Sequence, residues 1–192
     1  MKKKLGILIA AALIVGSLPL AASTFVLMTP VEMIQQADSI IQGRVVEVES
    51  SWSESGAMII TEATIEVDEV LLGQADRTVT VRTFGGEVSG IMVEAHGFPK
   101  FVQNETVILF LNREASDNSL RVLGYQQGHF EVVKRLDGVT LAVPQIDEGM
   151  AFVHRSGKLA LEAQSQPIEQ FKQNLHNLAI EAGRLPADNP VR

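Results

Sequence analysis

Between Ala37 and Trp52 the chain reads ADSIIQGRVVEVESSW, and its apolar positions change parity partway along. Ile41, Gly43 and Val45 fall on one side of an extended strand, whereas Val46 and Val48 fall on the other, so the buried face switches. Gly43 stands just before the switch; without a side chain to pack, it suits a bulge or a sharp coil. A single strand that serves two faces is what a small closed barrel needs at its corner. The expectation is a mainly β fold built around this strand.

The rest of the 192-residue chain supplies one buried core, with 46% hydrophobic and 20% charged residues. Residues 1–23 read as an export signal: Lys2, Lys3 and Lys4 lead an apolar run from Leu5 to Leu20, interrupted by Gly16 and Pro19. Ala21, Ala22 and Ser23 then provide small residues for cleavage. The alternative is an uncleaved anchor in the inner membrane, because apolar character continues through Phe25, Val26, Leu27 and Met28. Setting the signal aside removes three of the 16 basic residues and none of the 23 acidic ones, moving the net charge from −7 to −10. That balance argues against nucleic acid and against anionic lipid head groups, both of which need clustered Lys and Arg. Cysteine is absent, which excludes disulfides, thiol chemistry and thiolate metal sites in an exported chain.

Thr29, Pro30 and Glu32 predict a helix start: N-cap, first helical position and capping-box partner. The helix runs from about Pro30 to Ala37 with Val31, Ile34 and Ala37 on its inner side. After the long strand, the polar stretch Ser50 to Gly56 reads as a hairpin loop carrying Trp52. A second strand covers Met58 to Leu72, with Ala63, Ile65 and Val67 inward and a slip of phase to Val70 and Leu72. A third covers Thr78 to Thr83. Gly85, Gly86, Gly90 and Gly97 read as turns around a strand-like Ile91 to Ala95, with no Lys-Ser/Thr pair of a phosphate loop. VILFL at 107–111 reads as a central strand buried on both faces, followed by short strands at Leu120 to Leu123, His129 to Val133 and Val139 to Val143. Residues 24–144 thus form the barrel, and 145–192 a C-terminal extension. The extension holds a small hairpin at Phe152 to Leu161 and an amphipathic helix at 167–182. In that helix Ile168, Phe171, Leu175, Leu178 and Ala182 recur at spacings of three and four.

The succession PVEMIQQADSIIQGRVVEV, TIEVDEVLLG, TVTVRT, ETVILFL and LRVLGYQQGHFEVV resembles the netrin-like domain, which includes the N-terminal domain of tissue inhibitors of metalloproteinases. The likeness runs from about Pro30 to Val133 and is sharpest at Ala37-Asp38, Ile40-Ile41, Gly43-Arg44-Val45 and the strand end Val70 to Gly73. It implies a five-stranded Greek-key barrel of the oligonucleotide/oligosaccharide-binding type, in agreement with the bent strand. It also implies a partner, since in those inhibitors a mature N-terminal cysteine chelates a peptidase zinc through its amine and carbonyl. Counting back from Ala37-Asp38 places the corresponding position near Ser23 or Thr24, where signal cleavage leaves a new terminus. The family's cysteines are missing here, so Thr24-Phe25-Val26 is expected to be an untethered, disordered end.

No pattern in the chain assembles an active site. His96, His129, His154 and His176 are scattered, and none sits in a ligand motif. His96, in a Gly-rich loop near Glu87 and Glu94, is the best metal candidate; strand alternation places His129 outward; His176 falls on the polar side of the last helix. Glu47/Glu49 and Glu66/Asp68 are most simply solvated strand faces. No catalytic residue, metal or cofactor is expected. The leading reading is an exported, non-catalytic protein-binding module, with an exported zinc peptidase as the partner implied by the resemblance. Its contact residues are Ser23, Thr24, Phe25, Trp52, Ser53, Glu54, Gly85, Gly86, Glu87 and His96. The second reading is a structural or accessory envelope protein acting through self-association or its C-terminal helix, and an enzyme is the third.

Overall fold

A computed structural model describes residues 24–147, 151–153 and 164–186. The fold is mainly β, with a closed five-stranded mixed barrel and a helix at each end of the described chain. The barrel strands are β2 (Ser39–Trp52), β3 (Ile59–Gly73), β4 (Thr78–Phe84), β7 (Thr106–Arg113) and β8 (Leu120–Val122). Between β4 and β7 stand two short strands, β5 (Gly86–Val88) and β6 (Ile91–Val93). Consecutive antiparallel pairings join β7, β2, β3 and β4; β8 lies parallel to β4 through Val81 and Leu120 and antiparallel to β7, which closes the ring.

The parity switch in β2 has a structural cause. Val45 pairs with Ile65 and Glu47 with Thr64, so Val46 is an extra residue in β2, a bulge at the position where the pattern changes. Two further bulges lie on the partner strand, where Asp68 and Leu71 are the extra residues. The second of these sends Leu72 inward and leaves Val70, expected to be buried, on the surface. Gly43 lies against β3 so closely that a Cβ there would stand 2.5 Å from the Glu66 carbonyl oxygen.

The two faces of β2 serve two cores. Ile41 and Val45 point into the barrel with Ile65, Val81, Leu109 and Leu111. Ile40 points outward into a second layer with Ile108, Phe110 and Phe130, covered by α1 (Pro30–Gln36) and α2 (Ile168–Glu181). Ile108 and Leu109 divide in the same way, which is why 107–111 reads as an unbroken apolar run. The sheet beneath the helices continues from β7 into β9 (His129–Lys134), β10 (Thr140–Pro144) and the short β12 (Gln166–Pro167).

α1 begins at the capping box formed by Thr29 and Glu32. Its inward residues are Met33 and Ile34, with Ala37 at the C-cap; Val31, expected inside, is half-buried because the helix rests on its 33–37 side. α2 buries Ile168, Phe171, Leu175 and Ala179, so its apolar stripe is turned onto the chain's own sheet, and Leu178 and Ala182 pack at the margin. Arg184, just past α2, donates to the carbonyls of Ile34, Gln35 and Ala37 and ties the two helices together.

Two expectations need correction, and a third lies mostly outside the described residues. Thr24-Phe25-Val26 is not a disordered end: it forms β1 (Thr24–Val26), paired in parallel with β11 (Ala151–Val153). The hairpin expected at 152–161 falls mostly outside the described residues, and its first part pairs with β1. His129 is not outward; it is 1% exposed. Alternation misleads at this point because β9 is covered on both sides. Phe130 meets Phe171 of α2, and His129 meets Phe101 from the loop before β7.

Candidate functional site

Among the described residues, the Trp52 hairpin, the Gly-rich loop and Phe25 are linked to one another at one end of the barrel. Trp52 pairs with Ile59 at the last rung of the β2–β3 hairpin, and the Gly85 amide donates to the Ile59 carbonyl. Thr61 Oγ1 donates to the Gly85 carbonyl at 2.6 Å and lies 2.8 Å from Ser50 Oγ, so the base of the hairpin is fastened to the start of the Gly-rich loop. That loop returns past Gly85, whose α-carbon faces the backbone of Val93 and Ala95, and reaches His96 and Gly97. Gly97, with φ +83°, lies directly under the Phe25 ring, so a side chain there would collide with it. Thr24 opens β1, opposite Ala151; Ser23 lies outside the described residues.

One of the loop glycines is not a turn residue. Gly86 begins β5, which pairs with β6 around a turn at Ser89 and Gly90, both at positive φ. The β6 strand carries Ile91, Met92 and Val93 in succession, 51%, 74% and 38% exposed, and pairs among the described strands only with β5. Trp52, 43% exposed, is on the neighbouring hairpin, whose tip holds Ser53 hydrogen-bonded to Met58 and an exposed Glu54. Glu87 is exposed opposite Met92. His96 is exposed as well, and among the described residues it belongs to no group of three metal-ligating side chains. Its neighbour Glu94 bonds Lys100 at 2.6 Å, which holds the carboxyl below its usual range.

The residues that organise this end escaped the sequence reading. Gly124 and the 3-10 turn Tyr125–Gly128 place two buried amides side by side. Gln127 Oε1 accepts from the Met28 amide at 2.9 Å, and its Nε2 donates to the carbonyls of Val26 and Gly124. Gln126 accepts from the Asp147 amide and donates to the Phe98 carbonyl. Tyr125, held at φ +61°, packs edge-on against both Phe25 and Phe98. The Gln127 amide and the Tyr125 ring thus fasten the N-terminal arm, in addition to its pairing with β11, without any disulfide. Gln127→Leu should keep the bulk and lose the three hydrogen bonds. Amide exchange at Met28 should then quicken at least tenfold, with global stability lower by about 1 to 2 kcal/mol; unchanged exchange at Met28 would refute the clamp.

Compared with family models and with curated proteins, the chain matches none. The site is thus read from its own geometry. Its carboxylates Glu94 and Asp147 are both turned onto Lys100, and it offers exposed apolar side chains on two hairpins beside a fastened N-terminal arm.

Proposed function

We propose that this chain is an exported, non-catalytic module that binds another protein through the end of the barrel bearing Trp52, the β5–β6 hairpin and the N-terminal arm. The observation that carries the reading is the run Ile91, Met92 and Val93, three consecutive apolar residues left in solvent on a hairpin. Apolar side chains grouped in this way outside a core mark contact surfaces, and a few such anchors dominate interface energies. The netrin-like resemblance makes an exported zinc peptidase the partner to test first. The second reading, assembly through the C-terminal helix, has less in its favour because the α2 stripe is already occupied by the chain's own core.

Met92→Asp places a charge on the most exposed of these residues and leaves both cores untouched. The mature protein, tagged at its C-terminus, is used to recover partners from culture medium or periplasm beside this variant. The expected result is a zinc peptidase in stoichiometric amount with the parent and about thirtyfold weaker binding with Met92→Asp, a hot-spot loss of about 2 kcal/mol. Recovery of the chain alone, as a self-associated species, would move the assignment to the second reading. An extra residue before the mature terminus tests zinc chelation separately: inhibition that persists excludes the terminal amine as ligand.

A further inference from the structure

A cavity of about 370 Å³ opens between α1, α2 and the outer face of the sheet, away from the hairpins. Its size falls in the range of sites that hold one small ligand. The walls are hydrocarbon and aromatic, with Met33 and Ile34 from α1, Phe110 and Phe130 from the sheet, and Leu175 and Leu178 from α2. Among the described residues, no charged side chain lines it.

The polar group deepest in it, Gln127, is already engaged, whereas Gln164, Gln166 and Asn174 stand at its partly exposed rim. Gln127 gives its carbonyl oxygen to Met28 and its amide hydrogens to Val26 and Gly124. Asn174 donates to Gln166 Oε1 at 3.1 Å, across the rim. A ligand's polar head would therefore be desolvated inside without a partner, a loss that hydrocarbon does not incur. Met28 and Met33 add adaptable thioether walls of the kind that accommodate a flexible chain. We infer that this cavity binds a single aliphatic chain, acyl or alkyl, whose polar head stays outside at the rim formed by Gln164, Gln166 and Asn174. The cavity borders the N-terminal arm at Leu27, Met28 and Gln127 but is not lined by the Trp52 or β5–β6 hairpins, and the inference does not rest on the protein-binding reading.

The experiment is a calorimetric titration of the full mature chain with octanoate, decanoate and dodecanoate below their micelle concentrations. One molecule should bind per chain, with affinity rising about fourfold for each methylene, which corresponds to the free energy of burying a CH₂ group. Leu178→Trp, at a half-buried position in the wall, should weaken dodecanoate at least tenfold with the circular dichroism spectrum unchanged. The length series needs no variant, so it decides the matter even if Leu178→Trp does not fold. Absence of binding by the full chain overturns the inference. So does affinity independent of chain length. A dimer that Leu178→Trp dissociates, with no fatty-acid binding, would place a second copy of the chain there and overturn it as well.

Discussion

Gly43→Ala is expected to lower the free energy of unfolding by about 2 to 3 kcal/mol, read as a fall in urea midpoint and a drop in Tm of about 5 to 10 °C. The size follows from what the added methyl group meets. At 2.5 Å it would touch the Glu66 carbonyl oxygen and at 2.8 Å the Ile65 Cγ2. A side chain can swing aside, but the carbonyl belongs to the β3 backbone, so the two strands must separate. They are held on both sides of this point, since Val45 still pairs with Ile65, and Gln42 with Glu69 across the Asp68 bulge. Separation would therefore be shared with the barrel core, where Ile41, Val45 and Ile65 are fully buried. Gly43→Val should cost more, because its extra methyl groups enter the same space. Ser51→Ala, exposed farther along the same strand, should shift stability by less than about 0.5 kcal/mol. A Gly43→Ala loss as small as that of Ser51→Ala would show that β2 and β3 are not locked together here.

How legible the molecule was can be judged residue by residue. The bend of β2 was visible because a bulge shifts side-chain parity, and parity is written directly in the order of apolar residues from Ile41 to Val48. The caps of α1 were visible for a related reason: Thr29, Pro30 and Glu32 act within one turn. Closure of the barrel was not legible from strand patterns alone, because it depends on one parallel bridge, between Val81 and Leu120, across a wide gap in sequence.

The site was legible in outline but not in its fastening. The loops at Trp52 and at Gly85 to Gly97 announced themselves through polar and glycine composition. The stretch that joins them to the N-terminal arm, Tyr125-Gln126-Gln127, lies in a short gap between strands with no pattern of its own. Glutamine has no periodic signature, and its partners here, Val26, Met28, Phe98 and Asp147, are distant in sequence. His129 was misplaced for a similar reason: alternation assigns one wet face to a strand, and only the tertiary fold shows that the loop with Phe101 covers that face.

Stability should fall on acidification from about pH 6.5 to pH 4, by about 3 kcal/mol from His129 alone. Burial holds this imidazole neutral and pushes its pKa down to about 4, from an ordinary value of 6.5. Among the described residues neither ring nitrogen has a hydrogen-bond partner, and Glu105 Oε1, 4.0 Å from Nε2, is too distant to accept from it. The unfolded chain takes up a proton below pH 6.5 while the folded chain resists until about pH 4, so the unfolded state binds more protons throughout that window. This contribution is complete above pH 6.5 and lost as the pH falls through 4. Glu105 acts in the opposite sense. Burial, and to a smaller extent the neighbouring Glu131, raise its pKa, so its contribution is present below pH 4.5 and lost as pH rises through the raised value. The net acid loss is therefore smaller than the His129 share. His129→Phe keeps a ring against Phe101 and removes the two unpartnered nitrogens; it should gain about 1 kcal/mol at pH 7 and flatten the pH dependence. Glu105→Gln should steepen it by removing the offset. Urea unfolding of the three proteins at half-unit intervals from pH 4 to 7.5 separates the terms. If His129→Phe keeps the full acid slope of the parent, the buried imidazole is not its source.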